Sequence, residues 1–306
     1  MADGEGRLKV SAVLPWFVSL VFILALVFVL VKQRGGNEGV FETLIRENEI
    51  LSAMRLNLIR AAEAEKSAVL AVTDEESLKF ADQARSASVE VEKERKELTP
   101  LIEKDDSAQE KARIKEFDVC WTEFTKLDQL ILNLAVQNTN LHAEKLAFTK
   151  GAEAVRYLDL NLRKLIEDSS ADSAANCKAV KLSYQALVAA LKVHDLCTPH
   201  IEAETEQEMD AIEKEIAANE MTLSNSLDEL GGLVQGKDLE VLKEGKAASD
   251  ELMMITKEII SLSRENTNIK SLELSLGKKR LITAKCDEIL SALQRLVRSR
   301  GTKAAR

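Results

Sequence analysis

The stretch "LAVQNTNLHAEKL" (134–146) recurs in altered form as "LSRENTNIKSLEL" (262–274), with an Asn-Thr-Asn tripeptide shared 128 residues apart. Each copy lies between two helical patterns, which is typical of a helix–helix turn. Apolar positions before the tripeptides also align: Phe80 with Met209, Leu98 with Leu227, and Leu101 with Leu230. The sequence therefore predicts two copies of one unit, residues 40–168 and 173–300.

Each copy is predicted to contain four helices. In the first helix, Leu44, Leu51 and Leu58 recur at sevens, which is typical of a bundle seam. Helices this long, joined by short turns, run up-down-up-down. The predicted fold is therefore all-α, with two tandem up-down-up-down four-helix bundles and a linker near 167–175. The predicted helices are 40–72, 74–103, 107–137, 140–168, 173–201, 203–234, 237–264 and 268–300.

Composition and motifs narrow the range of possible functions. The 306 residues are 30% charged and 4% aromatic with a net charge of -9, which argues against a nucleic-acid surface. No Gly-rich phosphate loop, nucleophile elbow or His-Asp-Ser pattern is present, so no enzyme activity is predicted. The four cysteines form no CxxC or CxxCH motif, and their redox state cannot be deduced from their spacing.

One segment near the N-terminus has the character of a membrane span. After a short tail (1–9), residues 10–31, "VSAVLPWFVSLVFILALVFVLV", are uncharged and long enough for a helix to cross the hydrocarbon. Lys32 and Arg34 follow where a signal peptide would have its small-residue cleavage site, which favours an uncleaved anchor. Two basic residues precede the span and two follow it, so the positive-inside rule does not fix its orientation.

A membrane helix followed by such a bundle resembles the four-helix-bundle sensory domain of methyl-accepting chemotaxis proteins. The resemblance is strongest in "EKSAVLAVTDEESLKFADQARSASVEVEKERKEL" (65–98) and in "FTKLDQLILNLAVQNTNLHAEKLAFTKGAEAVRYLDLNLRKL" (124–165). It covers both copies, hence most of the chain after residue 40, and rests on helix pattern rather than on a catalytic motif.

The resemblance implies a single-pass protein of the bacterial inner membrane whose extracytoplasmic bundle senses a small molecule, usually as a homodimer. The chain departs from the family because no second apolar span follows residue 300, and no HAMP linker or signalling hairpin is present. We therefore expect it to act through a partner protein, through dimer geometry, or as a binding protein only.

Four arginines are candidates for holding a ligand carboxylate. Arg55 and Arg60 lie on the first predicted helix, and Arg156 and Arg163 lie on the fourth. In chemoreceptor bundles arginines often grip a carboxylate near the dimer interface, because the planar guanidinium matches it. The alternative is solvated ion pairing with nearby acids, which contributes little energy.

The segment "HDLCTPH" (194–200) is a candidate metal or haem site through His194, Cys197 and His200. Glu204, Glu208 and Glu273 are expected near the same end of the bundle, and such bundles do hold metals between facing helices. The alternative is a buried histidine paired with a carboxylate, followed by a proline-terminated helix. The first copy has "EKSAVLA" (65–71) at this place, so the fold does not require the histidines.

The C-terminus is basic. Five cations and no acid occur in "RLVRSRGTKAAR" (295–306), which includes the tail at 301–306. Such a tail either lies on anionic lipid, at about 1 kcal/mol per basic residue, or is solvated. The cations are Arg295, Arg298, Arg300, Lys303 and Arg306.

Three functional hypotheses remain open on these observations. The first is a membrane-anchored sensory or ligand-binding module that signals through a partner. The second is a helical scaffold at the membrane, and the third is a metal or haem protein that uses the HDLCTPH segment. No other cofactor is predicted.

Overall fold

The computed structural model describes residues 14–168 and 174–304, and it describes the backbone alone for residues 14–38, 40, 168, 303 and 304. Within these residues the chain is helical and has no β-strand. Two π-helical turns, Ala147–Gly151 and Ser275–Lys279, continue α4 into α5 and α9 into α10. The α-helices are α1 (Leu14–Val69), α2 (Asp74–Lys104), α3 (Ala108–Ala135), α4 (Thr139–Leu146), α5 (Ala152–Asp168), α6 (Ala174–Glu202), α7 (Glu206–Gly231), α8 (Lys237–Glu265), α9 (Thr267–Leu274) and α10 (Arg280–Ala304).

The helix starts follow local capping chemistry. The backbone N–H of Glu76 donates to the Thr73 hydroxyl at 3.2 Å, and that of Glu110 donates to the Ser107 hydroxyl at 3.3 Å. Both contacts satisfy N–H groups that lack an intrahelical partner. A third start, at Thr205, forms a complete capping box with Glu208.

The predicted repeat is visible in the backbone. Asn138 and Asn266 precede α4 and α9 with φ of 49° and 53°, a left-handed conformation that asparagine tolerates better than most residues. A π-helical turn follows each at the same distance along the chain. The two turns also contact each other: the N–H of Thr139 donates to the Thr267 hydroxyl at 3.2 Å, and the reverse bond has the same length. The two copies therefore meet symmetrically at this motif.

The structure contains two compact units, each assembled from separate stretches of the chain. Unit 1 comprises Met1–Ala61, Ser86–Glu123 and Ile282–Arg306, and its described part is a four-helix bundle of segments of α1, α2, α3 and α10. Polar or covalent links join the helices around the bundle. They are Asn57 to Glu94 (α1–α2), Arg95 to Asp118 (α2–α3), the Cys120–Cys286 disulfide (α3–α10), and Arg55 to Asp287 (α1–α10).

Unit 2 comprises Ala62–Arg85 and Phe124–Leu281. Its largest core is built from α4, α5, α6, α7 and α8, with Leu158, Leu162, Ala186, Ala190 and Leu230 fully buried. Ala68, Ala81, Ala84 and Leu132 form a smaller core in the same unit.

The boundaries of the units differ from the predicted modules 40–168 and 173–300. The fourth helix of the first predicted module, α5, packs against α6 and α8 in unit 2. The last helix, α10, is linked to α1 and α3 in unit 1. The two sets of helices have therefore exchanged their fourth members. Periodicity identifies the buried face of a helix but not its partner, and two similar bundles offer similar faces.

Where the structure describes side chains, no helix is both long and apolar enough to cross a membrane. The predicted span 10–31 lies outside those described side chains. The predicted linker at 167–175 also falls largely outside the described residues, at 169–173.

Candidate functional site

The four predicted ligand arginines are divided between the two units. Arg55 and Arg60 belong to unit 1, and Arg156 and Arg163 belong to unit 2. Arg55 is half-buried and grips both carboxylate oxygens of Asp287, at 2.8 and 3.2 Å.

The other three arginines are exposed and have partners on their own helices. Arg60 donates to Asn57 at 3.4 Å, and Arg163 donates to Asp159 at 2.8 Å. The guanidinium carbon of Arg156 lies 4.9 Å from the ring centre of Tyr157. The geometry of all four is that of structural or surface pairing.

The HDLCTPH segment forms the end of α6, and its three candidate ligands have separate partners. Nε2 of His194 lies 3.2 Å from the carbonyl oxygen of Ala147, in the first π-helical turn. Cys197 is buried, and desolvation raises the pKa of its thiol to about 11, which disfavours the thiolate that binds metals. Among the residues described, no group of three or more His, Cys, Asp or Glu side chains could hold a metal ion.

His200 is fully buried and held from both sides. Its Nδ1 lies 2.5 Å from the Ser263 hydroxyl, and its Nε2 lies 3.0 Å from Glu213. Arg264 donates to the same Glu213 oxygen at 2.6 Å and, with His200, lowers the pKa of that carboxyl. The carboxylate partner of His200 is thus Glu213 on α7.

A buried ionic cluster surrounds Glu65, the first-copy residue at the position of His194. Glu65 aligns with His194 and is fully buried, while Lys279 and Asp128, 1% and 4% exposed, form an ion pair. The Lys279 ammonium also lies 3.3 Å from the ring centre of Phe124. Burial raises the pKa of Glu65 and lowers that of Lys279, and the Asp128 carboxylate opposes the second shift.

Sequence reasoning missed this cluster, although the repeat held a signal for it. At an offset of 128 residues, Lys279 corresponds to Gly151 and Asp128 corresponds to Thr256. A Cβ on Gly151 would lie 3.4 Å from the His194 ring, so the first copy needs a small residue where the second has Lys279. The charged residues Asp128 and Lys279, at positions where the other copy has Thr256 and Gly151, were therefore the signal in the sequence for this cluster.

The basic C-terminal segment contacts its own bundle. Arg300 forms ion pairs with Glu47 and Asp105, and its guanidinium lies 3.3 Å from Glu110. Arg298 donates to Asn48 at 2.9 Å.

Arg295 donates to Ser291 of its own helix at 3.0 Å. The side chain of Lys303 and all of Arg306 lie outside the described part of the chain. The structure therefore gives Arg298 and Arg300 protein partners, where the sequence predicted either an anionic lipid surface or a solvated tail.

The acids around Arg300 are unusually buried. Glu47 and Glu110 are 0% and 1% exposed. Burial and the neighbouring Glu47 carboxylate raise the pKa of Glu110 to about 7, and the Ser107 hydroxyl opposes the rise. Burial also raises the pKa of Glu47, although the Arg300 charge opposes it. Glu110 therefore titrates near neutral pH.

A groove between α7 and α8 in unit 2 is concave enough for a small ligand. Its volume is about 460 Å³, within the usual range of ligand sites. Its floor is apolar, from Leu223, Leu227 and Met253, which also belong to the buried core. Its rim carries both signs of charge, including a Lys246–Asp228 pair at 2.7 Å and a Lys257–Glu220 pair at 4.0 Å. The rest of the lining is Ser224, Ser249, Asp250 and Met254.

The groove has a structural cause. In this unit α7 packs more closely against α6 than against α8. The α7–α8 turn contains Gly231, Gly232 and Gly236, of which Gly236 has φ of 61°, a conformation that favours glycine. The wider separation of α7 from α8 leaves the groove open on this side of the bundle.

Comparison with known proteins identified no relative of this chain. No protein-family model matches the chain, and a search of curated proteins finds no similar sequence. The geometry of the described residues and the sequence resemblance are therefore the basis for a function.

Proposed function

We propose that this chain is a membrane-anchored extracytoplasmic sensory or ligand-binding module of chemoreceptor type, which signals through a partner protein. The observation that best supports the proposal is the α7–α8 groove, which combines an apolar floor with a charged rim inside a helical bundle. Because the rim carries ammonium and carboxylate groups together, it suits a small zwitterion with an apolar side chain.

The disulfide supports an extracytoplasmic location for the bulk of the chain. Cys120 and Cys286 are joined across unit 1, and both sulfurs lie in the core, at 2% and 0% exposure. Structural disulfides persist in oxidising compartments and are rare in the cytosol. With residues 10–31 as the anchor, the bulk of the chain then lies outside the cytoplasmic membrane.

An exposed apolar stripe on α1 supports a homodimer. Phe41, Ile45, Leu56 and Ile59 are 46–57% exposed and lie within about 60° of the helix circumference. A parallel stripe from a second copy would cover them. The same stripe favours the second candidate function, a structural scaffold at the membrane.

The ligand-binding proposal is tested by a thermal-shift screen of the full chain in detergent against amino acids, other zwitterions, organic acids and divalent metals. A ligand at one hundred times its Kd should stabilise the protein by about 2.7 kcal/mol. Ser224→Trp, at an exposed position of the rim, should fill the groove and abolish the shift.

Asn225→Trp is the matched control, because Asn225 is exposed on the same helix and outside the groove lining. A screen without a hit, or a shift that survives Ser224→Trp, would exclude this site. If self-association then persists without any ligand, the scaffold function is favoured.

The dimer is tested separately by the mass of the protein in solution. The double variant Ile45→Glu/Ile59→Glu should convert a dimer to a monomer, since it places like charges along the stripe. Val89→Glu is the control, because Val89 is 64% exposed on α2 in the same unit. An unchanged mass in the double variant would show that α1 is not the interface.

A further inference from the structure

A second groove lies between α6 and α7 in unit 2, with a volume of about 490 Å³. Its long wall is formed by α6, where Lys181 and Lys192 mark the two ends and Tyr184 and Val188 lie between them. Tyr184 and Val188 are 54% and 50% exposed, which is high for apolar side chains on a packed helix. The opposite wall includes Asn219 of α7.

The charge of this groove contrasts with that of the chain. The whole protein has a net charge of -9, yet residues 174–194 of α6 contain three lysines and no Asp or Glu. The described residues that line the groove also include no acid. A carboxylate would therefore meet positive potential here without repulsion from the lining.

The α7 wall is uncharged, and its polar side chains already bond to their own helix. The Asn219 amide donates one hydrogen bond to the carbonyl of Glu215 at 2.8 Å, and the Thr222 hydroxyl donates to that of Ala218 at 2.9 Å. The positive charges that can hold an anion are therefore on α6, at the two lysines. The middle of the groove presents the Tyr184 ring and the Val188 methyl groups.

The spacing of the two lysines determines how long a ligand must be to reach both of them. Lys181 and Lys192 are eleven residues apart, which places them on the same face of α6 and about 16 Å from each other along its axis. Flexible lysine side chains shorten the required span by a few ångströms. A saturated chain adds about 1.3 Å per carbon, so about ten to twelve carbons match the groove.

We propose that the α6–α7 groove binds an elongated dianion with an apolar middle, such as a long-chain α,ω-dicarboxylate, with Lys181 and Lys192 each holding one carboxylate. The site lies outside the α7–α8 groove and does not depend on it. A second copy of the chain is a poor occupant in a symmetric contact, because lysines would then face lysines.

The test is isothermal titration calorimetry of the full chain in a non-ionic detergent with butanedioate, octanedioate and dodecanedioate. Each compound is also titrated into detergent alone. Affinity should rise with chain length, be strongest for dodecanedioate and fall with added salt, while butanedioate shows no saturable binding.

The variants separate the two charged ends from the middle. Lys181→Gln or Lys192→Gln should weaken dodecanedioate binding about two- to fivefold, as expected for loss of one exposed ion pair, and the double variant about four- to twentyfold. Val188→Ser should weaken the long compound more than octanedioate, because it removes apolar contact.

The matched control is Lys150→Gln/Lys164→Gln, at two exposed lysines of unit 2 outside this groove. It should leave binding unchanged, and so should Ser224→Trp, whatever becomes of the α7–α8 ligand. Absence of saturable binding by any of the dicarboxylates would overturn the proposal. An affinity independent of chain length, or unchanged in the double lysine variant, would overturn it too.

Discussion

Removing the disulfide between Cys120 and Cys286 should destabilise the protein substantially. The bond joins residues 166 positions apart, and the loop that it closes contains residues 124–281 of unit 2. In the chain-entropy description, closing a loop of this length removes about 5 kcal/mol of disorder from the unfolded state. Because most measured values are about 2–4 kcal/mol, the double variant Cys120→Ala/Cys286→Ala should lose about 2–5 kcal/mol.

The assay is urea unfolding followed by circular dichroism. With a slope of about 3 kcal/mol per molar urea, the midpoint should fall by roughly 0.7–1.7 M. Cys177→Ser is the matched control, because Cys177 is an exposed free thiol, and its midpoint should match that of the parent.

Thiol counting gives an independent check. In the denatured, unreduced chain two thiols should titrate, those of Cys177 and Cys197. Four titrating thiols in protein purified without reductant would refute the disulfide and remove the argument for an oxidising compartment. Equal midpoints for the parent and the double variant would refute the energetic reasoning.

Three further predictions concern the buried polar groups and the turns. Lys279→Met should lower the free energy of unfolding by about 3–5 kcal/mol in a thermal denaturation, because Asp128 loses its buried ammonium partner. Adding Asp128→Asn should recover much of that loss. Equal stability of the single and double variants would contradict this explanation. The folded pKa of Glu110, about 7, is above its unfolded value of 4.5, so its contribution to stability is complete below pH 4.5 and is lost as pH rises through 7. Glu110→Gln should therefore stabilise the protein at pH 8 by about 1–3 kcal/mol and have little effect near pH 4. A difference in unfolding free energy between variant and parent that stays constant at all pH values would argue against the raised pKa. Asn266→Ala should destabilise more than Asn266→Gly by about 1 kcal/mol, because alanine is strained at φ of 53°, and reversed order in chemical denaturation would exclude that cause.

Most helix ends could be predicted closely because each depends on local chemistry, but the predicted start at 40 was wrong, since α1 is continuous from Leu14 to Val69. The predicted stop at 103 and the observed end of α2 at Lys104 differ by one residue, since Pro100 and the acidic residues that follow disfavour a longer helix. The turn at Asn266 was also predictable from the shared tripeptide. The candidate sites were less predictable, since Arg55 and Arg300 were singled out as candidates for a ligand and a lipid surface, while their protein partners Asp287 and Glu47 were not anticipated.

Those partners are remote in sequence. Arg55 meets Asp287 across 232 residues, and Cys120 meets Cys286 across 166. No spacing rule connects positions so far apart, and each of the cysteines had other candidates at the sequence level. The α7–α8 and α6–α7 grooves depend in the same way on how closely neighbouring helices approach.

The sequence by itself determined the helical class, the repeat and the residues that face a core, because capping and periodicity are properties of short segments. Only the tertiary structure decided that α5 completes a bundle with α6, α7 and α8, while α10 joins α1, α2 and α3. The physical reason lies in the repeat itself: two copies with similar apolar faces can pair their helices within or between copies. Specific contacts then distinguish the pairings, among them the Cys120–Cys286 bond and the reciprocal Thr139–Thr267 hydrogen bonds.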